Sequence, residues 1–180
     1  MSIDQEIISW DGKSSDDINA VYSRHKNDNF FLLQIIEFAQ QEPLQKGATW
    51  LLKRHFEGGQ NIEESQATKI FGLLPNLEYW ETKLHILQCL TYMEIANTEK
   101  KETEFFLRKC LTDENKFVRA WAYNGFYELS IQHSEYISEA KQFFKMAMRD
   151  ETPSVKARIR NIMKKRLLKN DGWTERGSSL

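Results

Sequence analysis

The stretch FLRKCLTDENKFVRAWA, residues 106–122, decides the fold because it returns 37 residues later as FFKMAMRDETPSVKARI, residues 143–159. Without a gap, Phe106 matches Phe143, Leu111 matches Met148, Asp113 matches Asp150 and Glu114 matches Glu151. Val118 then matches Val155, Arg119 matches Lys156 and Ala120 matches Ala157. A period of this length marks stacked supersecondary units, each unable to bury its apolar face alone.

Each copy reads as two helices around a turn. In the last, Tyr136, Ile137, Ala140, Phe143, Phe144, Ala147 and Met148 follow i, i+3, i+4, i+7 spacing and form one apolar stripe. Asp150 to Pro153 breaks it, and Pro153 is suited to open the next helix but not to continue the last. That helix carries Val155, Ile159, Ile162, Met163 and Leu167 on one face. Working outward, the copy before it repeats the plan with Phe106, Leu107, Cys110 and Leu111, a turn at 113–115, then Val118, Trp121, Ala122, Gly125 and Leu129. Two earlier pairs fit less closely. One joins Ile62–Leu74 to Trp80, Leu84, Leu87 and Thr91; the other joins Phe30–Ala39 to Ala48, Leu51, Leu52 and Phe56, ended by Gly58-Gly59. Short amphipathic segments around 2–10 and 15–26 read as a cap over the first apolar face.

The chain has 180 residues with 41% apolar content, enough for one buried core, and the reading is a single domain over 1–169 with a polar tail at 170–180. Three valines against seventeen leucines and fourteen isoleucines are thin for a sheet protein. Cys89 and Cys110 cannot make a disulfide framework, so a cytoplasmic location is expected. MSIDQEIISW lacks the apolar core of a signal peptide, and no window approaches 18 apolar residues, so no membrane span is expected.

The two matched copies resemble HEAT repeats, carried by Asp113 with Val118-Arg119 and Asp150 with Val155-Lys156. The resemblance covers about 101–168; in the two earlier pairs Thr49 and Glu81 stand where the basic residue belongs. It implies an all-α fold, a right-handed α-α superhelix of about four hairpins with an N-terminal helical cap. It also implies that each Asp caps the second helix of its hairpin and meets the basic residue six positions on, in a ladder between repeats. Members of this family are scaffolds or binding surfaces far more often than enzymes.

No catalytic constellation stands out. His25, His55, His85 and His133 have no second ligand at metal spacing, so neither a metal nor a small-molecule cofactor is expected. His55 reads as a satisfied core histidine, Cys110 as an inert buried thiol, and Cys89 has room to be more exposed. Glu63-Glu64 and Asp16-Asp17 fall at helix starts, where capping accounts for them. A HEAT-like family of DNA glycosylases keeps a nucleic-acid partner open as the second reading. Trp50, Trp80 and Trp121 would fit it only on a groove, and Trp80 and Trp121 fall on the apolar stripe instead.

Charge points to a partner more clearly. Residues 1–140 carry 14 basic and 22 acidic side chains; residues 141–180 carry 11 and 4. The last helix concentrates Lys156, Arg158, Arg160, Lys164, Lys165, Arg166 and Lys169, a solvated end or a docking surface for an acidic partner or nucleic acid. The second helices of HEAT repeats line a concave face. The resemblance therefore places Lys53, His85, Tyr123 and Arg160 in a column there, flanked by Glu81, Tyr92, Arg119, Tyr127, Lys156 and Lys164. The expected function is a non-catalytic adaptor that binds a protein partner through this face and the basic C-terminal end, with exposed Tyr and Arg as anchors.

Overall fold

Local signals set several helix ends. Ser14 accepts a hydrogen bond from the Asp17 amide and starts one helix. Glu63 and Gln66 form a reciprocal capping box at another. Gly59, in the left-handed region at φ 75°, stops a third just past its C-cap at Gly58. Pro153 is the first residue of the last helix. The computed structural model describes residues 1–169, with side chains described through Lys164. Among these the chain is all-helical, with ten α-helices, short 3-10 turns and no strand. No described helix is long and apolar enough to cross a membrane. The tail at 170–180, the Leu167 side chain and the basic side chains of Lys165, Arg166 and Lys169 lie outside the described residues.

The chain divides into two compact units, Met1–Met93 and Glu94–Leu180. The first holds α1 (Ile3–Ser9), α2 (Ser15–His25), α3 (Phe31–Phe38), α4 (Gln45–Glu57), α5 (Glu64–Phe71) and α6 (Trp80–Cys89). Helix α3 packs on α4 and α5, α4 packs on α6, and α1 and α2 lie on α4. Helices α1 and α4 come close at Gly47 of α4. A Cβ there would stand 2.6 Å from the Ile7 side chain of α1, so any larger residue must push Ile7 aside. Glu6 of α1 pairs with Arg24 and His25 of α2.

The second unit holds α7 (Lys100–Leu111), α8 (Lys116–Gln132), α9 (Ile137–Asp150) and α10 (Pro153–Lys169). Helix α8 is the hub, packed by α7, α9 and α10. One of its faces carries Val118, Ala122 and Leu129, all buried. A second face, Ala120, Tyr123 and Tyr127, closes a core with Ala140, Phe144 and Ala147 of α9 and Val155, Ile159 and Ile162 of α10. Across α7 and α9, Arg108 donates to Glu104 (2.8 Å) and Glu139 (2.6 Å), and the Tyr136 hydroxyl donates to Glu104 (2.7 Å).

Several expectations are corrected here. The N-cap of α8 is Asn115, whose side chain accepts from the Phe117 amide at 2.8 Å. Asp113 instead folds the turn by accepting from the Asn115 amide at 2.9 Å. Trp80 is 42% exposed rather than in the core. It is the first residue of α6, and Thr82, His85 and Ile86 take the buried side. Cys89 is as fully buried as Cys110. His55 is buried in a ring of Tyr22, Phe31 and Phe56, yet its Nδ1 has no hydrogen-bond partner among the described residues.

Candidate binding face

The binding column expected on the second helices separates by depth. In the second unit, Tyr123 is 8% exposed and Tyr127 2%, both inside the α8–α9–α10 core, so neither is a surface anchor. Tyr123 makes an edge contact with Phe144 at 6.0 Å, and burial pushes its hydroxyl up to about 12. The reason is geometric: the face beside the apolar stripe of α8 is covered in turn by α10.

Arg119 is occupied by structure. Its guanidinium donates to the Asp113 and Glu114 carbonyls at 2.8 and 3.0 Å and to both carboxylate oxygens of Glu151 at 2.9 and 3.2 Å. The link between the two turns therefore runs from Arg119 to Glu151, not to an aspartate; Asp150 pairs with its neighbour Arg149. Lys156 repeats the inward half of the clasp by donating to the Arg149 carbonyl at 3.0 Å. Arg160 and Lys164 are exposed.

In the first unit, His85 sits between α4 and α6, buried, with Nδ1 3.0 Å from the Thr49 hydroxyl. Burial, helped by Lys53 and Lys46, lowers its pKa to about 3, so the ring is neutral and internal rather than presented to a ligand. Lys53 bridges to Glu57 at 3.2 Å and lies 5.5 Å from the Trp50 ring. Tyr92 is exposed and stacked on Phe56 at 6.3 Å.

Besides the exposed Arg160 and Lys164 of α10, the second helices of the second unit leave open the third face of α8. It carries Phe117, 49% exposed, and one turn on the half-buried Trp121, with Arg158 of α10 over the indole at 3.9 Å. Lys116 lies 5.3 Å from the Phe117 ring. Helical phase placed Trp121 inside and missed this face; the signal that would have found it is the i, i+4 aromatic pair with a basic residue 37 positions beyond Trp121, one repeat on.

The arrangement can offer stacking, apolar contact and cationic hydrogen bonds. It holds no nucleophile with an adjacent base, and burial raises the Cys89 thiol well above its ordinary value. Among the described residues no three His, Cys, Asp or Glu side chains gather around a position for one metal ion. In comparisons with family models, curated proteins and solved structures, no match to this chain was found.

Proposed function

We propose that the chain is a HEAT-like stack of helical hairpins that works as a non-catalytic adaptor, binding an acidic protein partner through the second-helix face and basic end of its second unit. The hairpin reading is supported by second helices that pack side by side within each unit, α4 on α6 and α8 on α10. It is supported also by the Arg119 clasp that ties one turn to Glu151 of the next. Solenoids of this kind expose one side of each hairpin as a ready-made surface.

The observation that carries the binding role is the open strip of Phe117, Trp121 and Arg158, with exposed Arg160 and Lys164 on another side of the same basic helix α10. Aromatic and arginine side chains in solvent are the residue types enriched at interface centres, and a basic surround steers an acidic partner. The test compares captured proteins from a lysate of the source cell for wild type and Arg160→Glu/Lys164→Glu, with yields quantified. Loss of the specific partners from the variant supports the reading. The same partners at the same yield overturn it.

A further inference from the structure

Arg158 differs from the other half-buried cations of its unit. Arg108 has Glu104 and Glu139, and Arg119 has Glu151. In the first unit Arg24 has Glu6 and Arg54 donates to Asn19 at 3.0 Å. Arg149 has Asp150, and Arg160 is in solvent. Among the described residues Arg158 alone combines partial burial with no hydrogen-bonded or charged partner; what it has is the Trp121 ring at 3.9 Å. Burial with no counter-charge lowers its pKa below the usual arginine value, a cost the free protein carries.

We infer that Arg158, held against Trp121 beside Phe117, receives a side-chain carboxylate from an acidic peptide segment of the partner, with an apolar neighbour of that acid resting on Phe117. The inference rests on the adaptor reading above and names the chemistry of its ligand. A ring 3.9 Å from the guanidinium carbon takes none of its hydrogen bonds in the plane of the fork, so the N–H groups are left to pair with a carboxylate in two parallel bonds. An arginine fixed by an aromatic ring loses little side-chain freedom on binding. Phe117, one turn before Trp121 on the same side of α8, supplies apolar area, and Lys116 adds a second positive charge at the edge. From Pro153 to Lys164, α10 carries Lys156, Arg158, Arg160 and Lys164 and no acid, which favours approach of a negative segment.

A nucleic-acid strand fits less well. It needs cations in a track, but Arg160 and Lys164 lie about 200–240° around α10 from Arg158 at 100° per residue. The strip on α8 also runs on to Glu128, a carboxylate where a phosphate would follow.

The experiment uses the full chain and fluorescence anisotropy with labelled short Glu-rich peptides, each holding one Phe or Leu at a varied distance from the acids. A single-stranded oligothymidylate forms a parallel arm. Arg158→Gln, Arg158→Lys and Arg160→Gln are compared with wild type, and each Tm is read by circular dichroism. A peptide carrying Phe or Leu beside an acid should bind. Arg158→Gln should weaken it by at least about tenfold, Arg158→Lys should restore only part, and Arg160→Gln should change it by less than about twofold. The Tm of Arg158→Gln should equal or exceed that of wild type, because an unpaired half-buried charge has been removed.

Silence across the peptides, equal losses for Arg158→Gln and Arg160→Gln, or a lowered Tm with unchanged binding overturns the inference. So does Arg158-dependent binding of the oligothymidylate in preference to every peptide. Silence of the peptides together with partner loss in Arg160→Glu/Lys164→Glu would sink this inference alone and leave the adaptor reading standing.

Discussion

The two units solve the same packing problem with different chemistry. Between α4 and α6 the first unit buries polar side chains: Gln45, Thr49, Thr82 and His85 are all internal, and Thr49 meets His85 at 3.0 Å. The core of the second unit around α8 is mostly apolar and aromatic, and its ionic groups stay near the surface in the Glu104–Arg108–Glu139 network and the Arg119–Glu151 pair. Each packs a pair of helices side by side, α4 on α6 in the first unit and α8 on α10 in the second. The difference teaches that helix-on-helix packing requires a filled interface but not an apolar one, provided its buried polar groups are paired or kept neutral.

The largest effect should come from the apolar side of the comparison. Phe144 is 1% exposed and contacts Tyr123, so Phe144→Ala should destabilise the second unit by about 3–5 kcal/mol. Denaturant melts would show it, with amide exchange rising in α8, α9 and α10; a loss under about 1 kcal/mol would mean that this core is not tightly packed.

Acid should separate the units. The neutral form of His85 is favoured in the fold, with a pKa of about 3 against an ordinary 6.5. The unfolded chain therefore binds the proton first, and stability present above pH 6.5 is lost as pH falls toward 3, by about 1.4 kcal/mol per unit. His55, lowered by burial, adds in the same direction. In the second unit, burial alone would raise the Glu104 carboxyl, but hydrogen bonds from Tyr136, Arg108 and Lys101 outweigh it and hold it at about 2. Its contribution is present above its ordinary 4.5 and is lost only between there and about 2. At pH 5, exchange corrected for intrinsic rates should therefore accelerate in α4 and α6 but not in α7 and α9. Equal acceleration in both would erase the proposed distinction.

A smaller effect follows at Gly47. Valine there must displace Ile7, an overpacking cost of about 1–3 kcal/mol, expected as faster exchange in α1 and α4. Smallest is the cap of α8. Asn115→Ala should cost about 1 kcal/mol, and Asp113→Ala, which removes a turn bond, should cost less; the reverse order in thermal melts would restore Asp113 as the cap.

Helix positions were legible because their signals are local. The capping box at Glu63, the Gly58-Gly59 stop and Pro153 each act within a few residues, and the apolar stripes between them show the period of a helix. What a wheel does not contain is the next helix. On α8 the Tyr123–Tyr127 face and the Phe117–Trp121 face flank the same stripe, and only the position of α10 decides which is covered. The expected column took the covered one. Trp80 misled for a related reason, since a stripe extrapolated to a helix's first residue assumes a neighbour there. Asp113 was placed in the right turn but two residues from the cap, because Asp and Asn compete for that role with similar chemistry.

The two cysteines, Cys89 at 0% and Cys110 at 1% exposure, lie one in each unit. Each sulfur is sealed until the helices around it part, so the chain carries a native pair of opening clocks, one in each unit. A thiol reagent added under native conditions modifies each sulfur at a rate set by how often the surrounding helices part. Mass spectrometry of the two tryptic fragments would then time the breathing of α6 and α7 separately in a single unmodified protein, with no probe engineered into either.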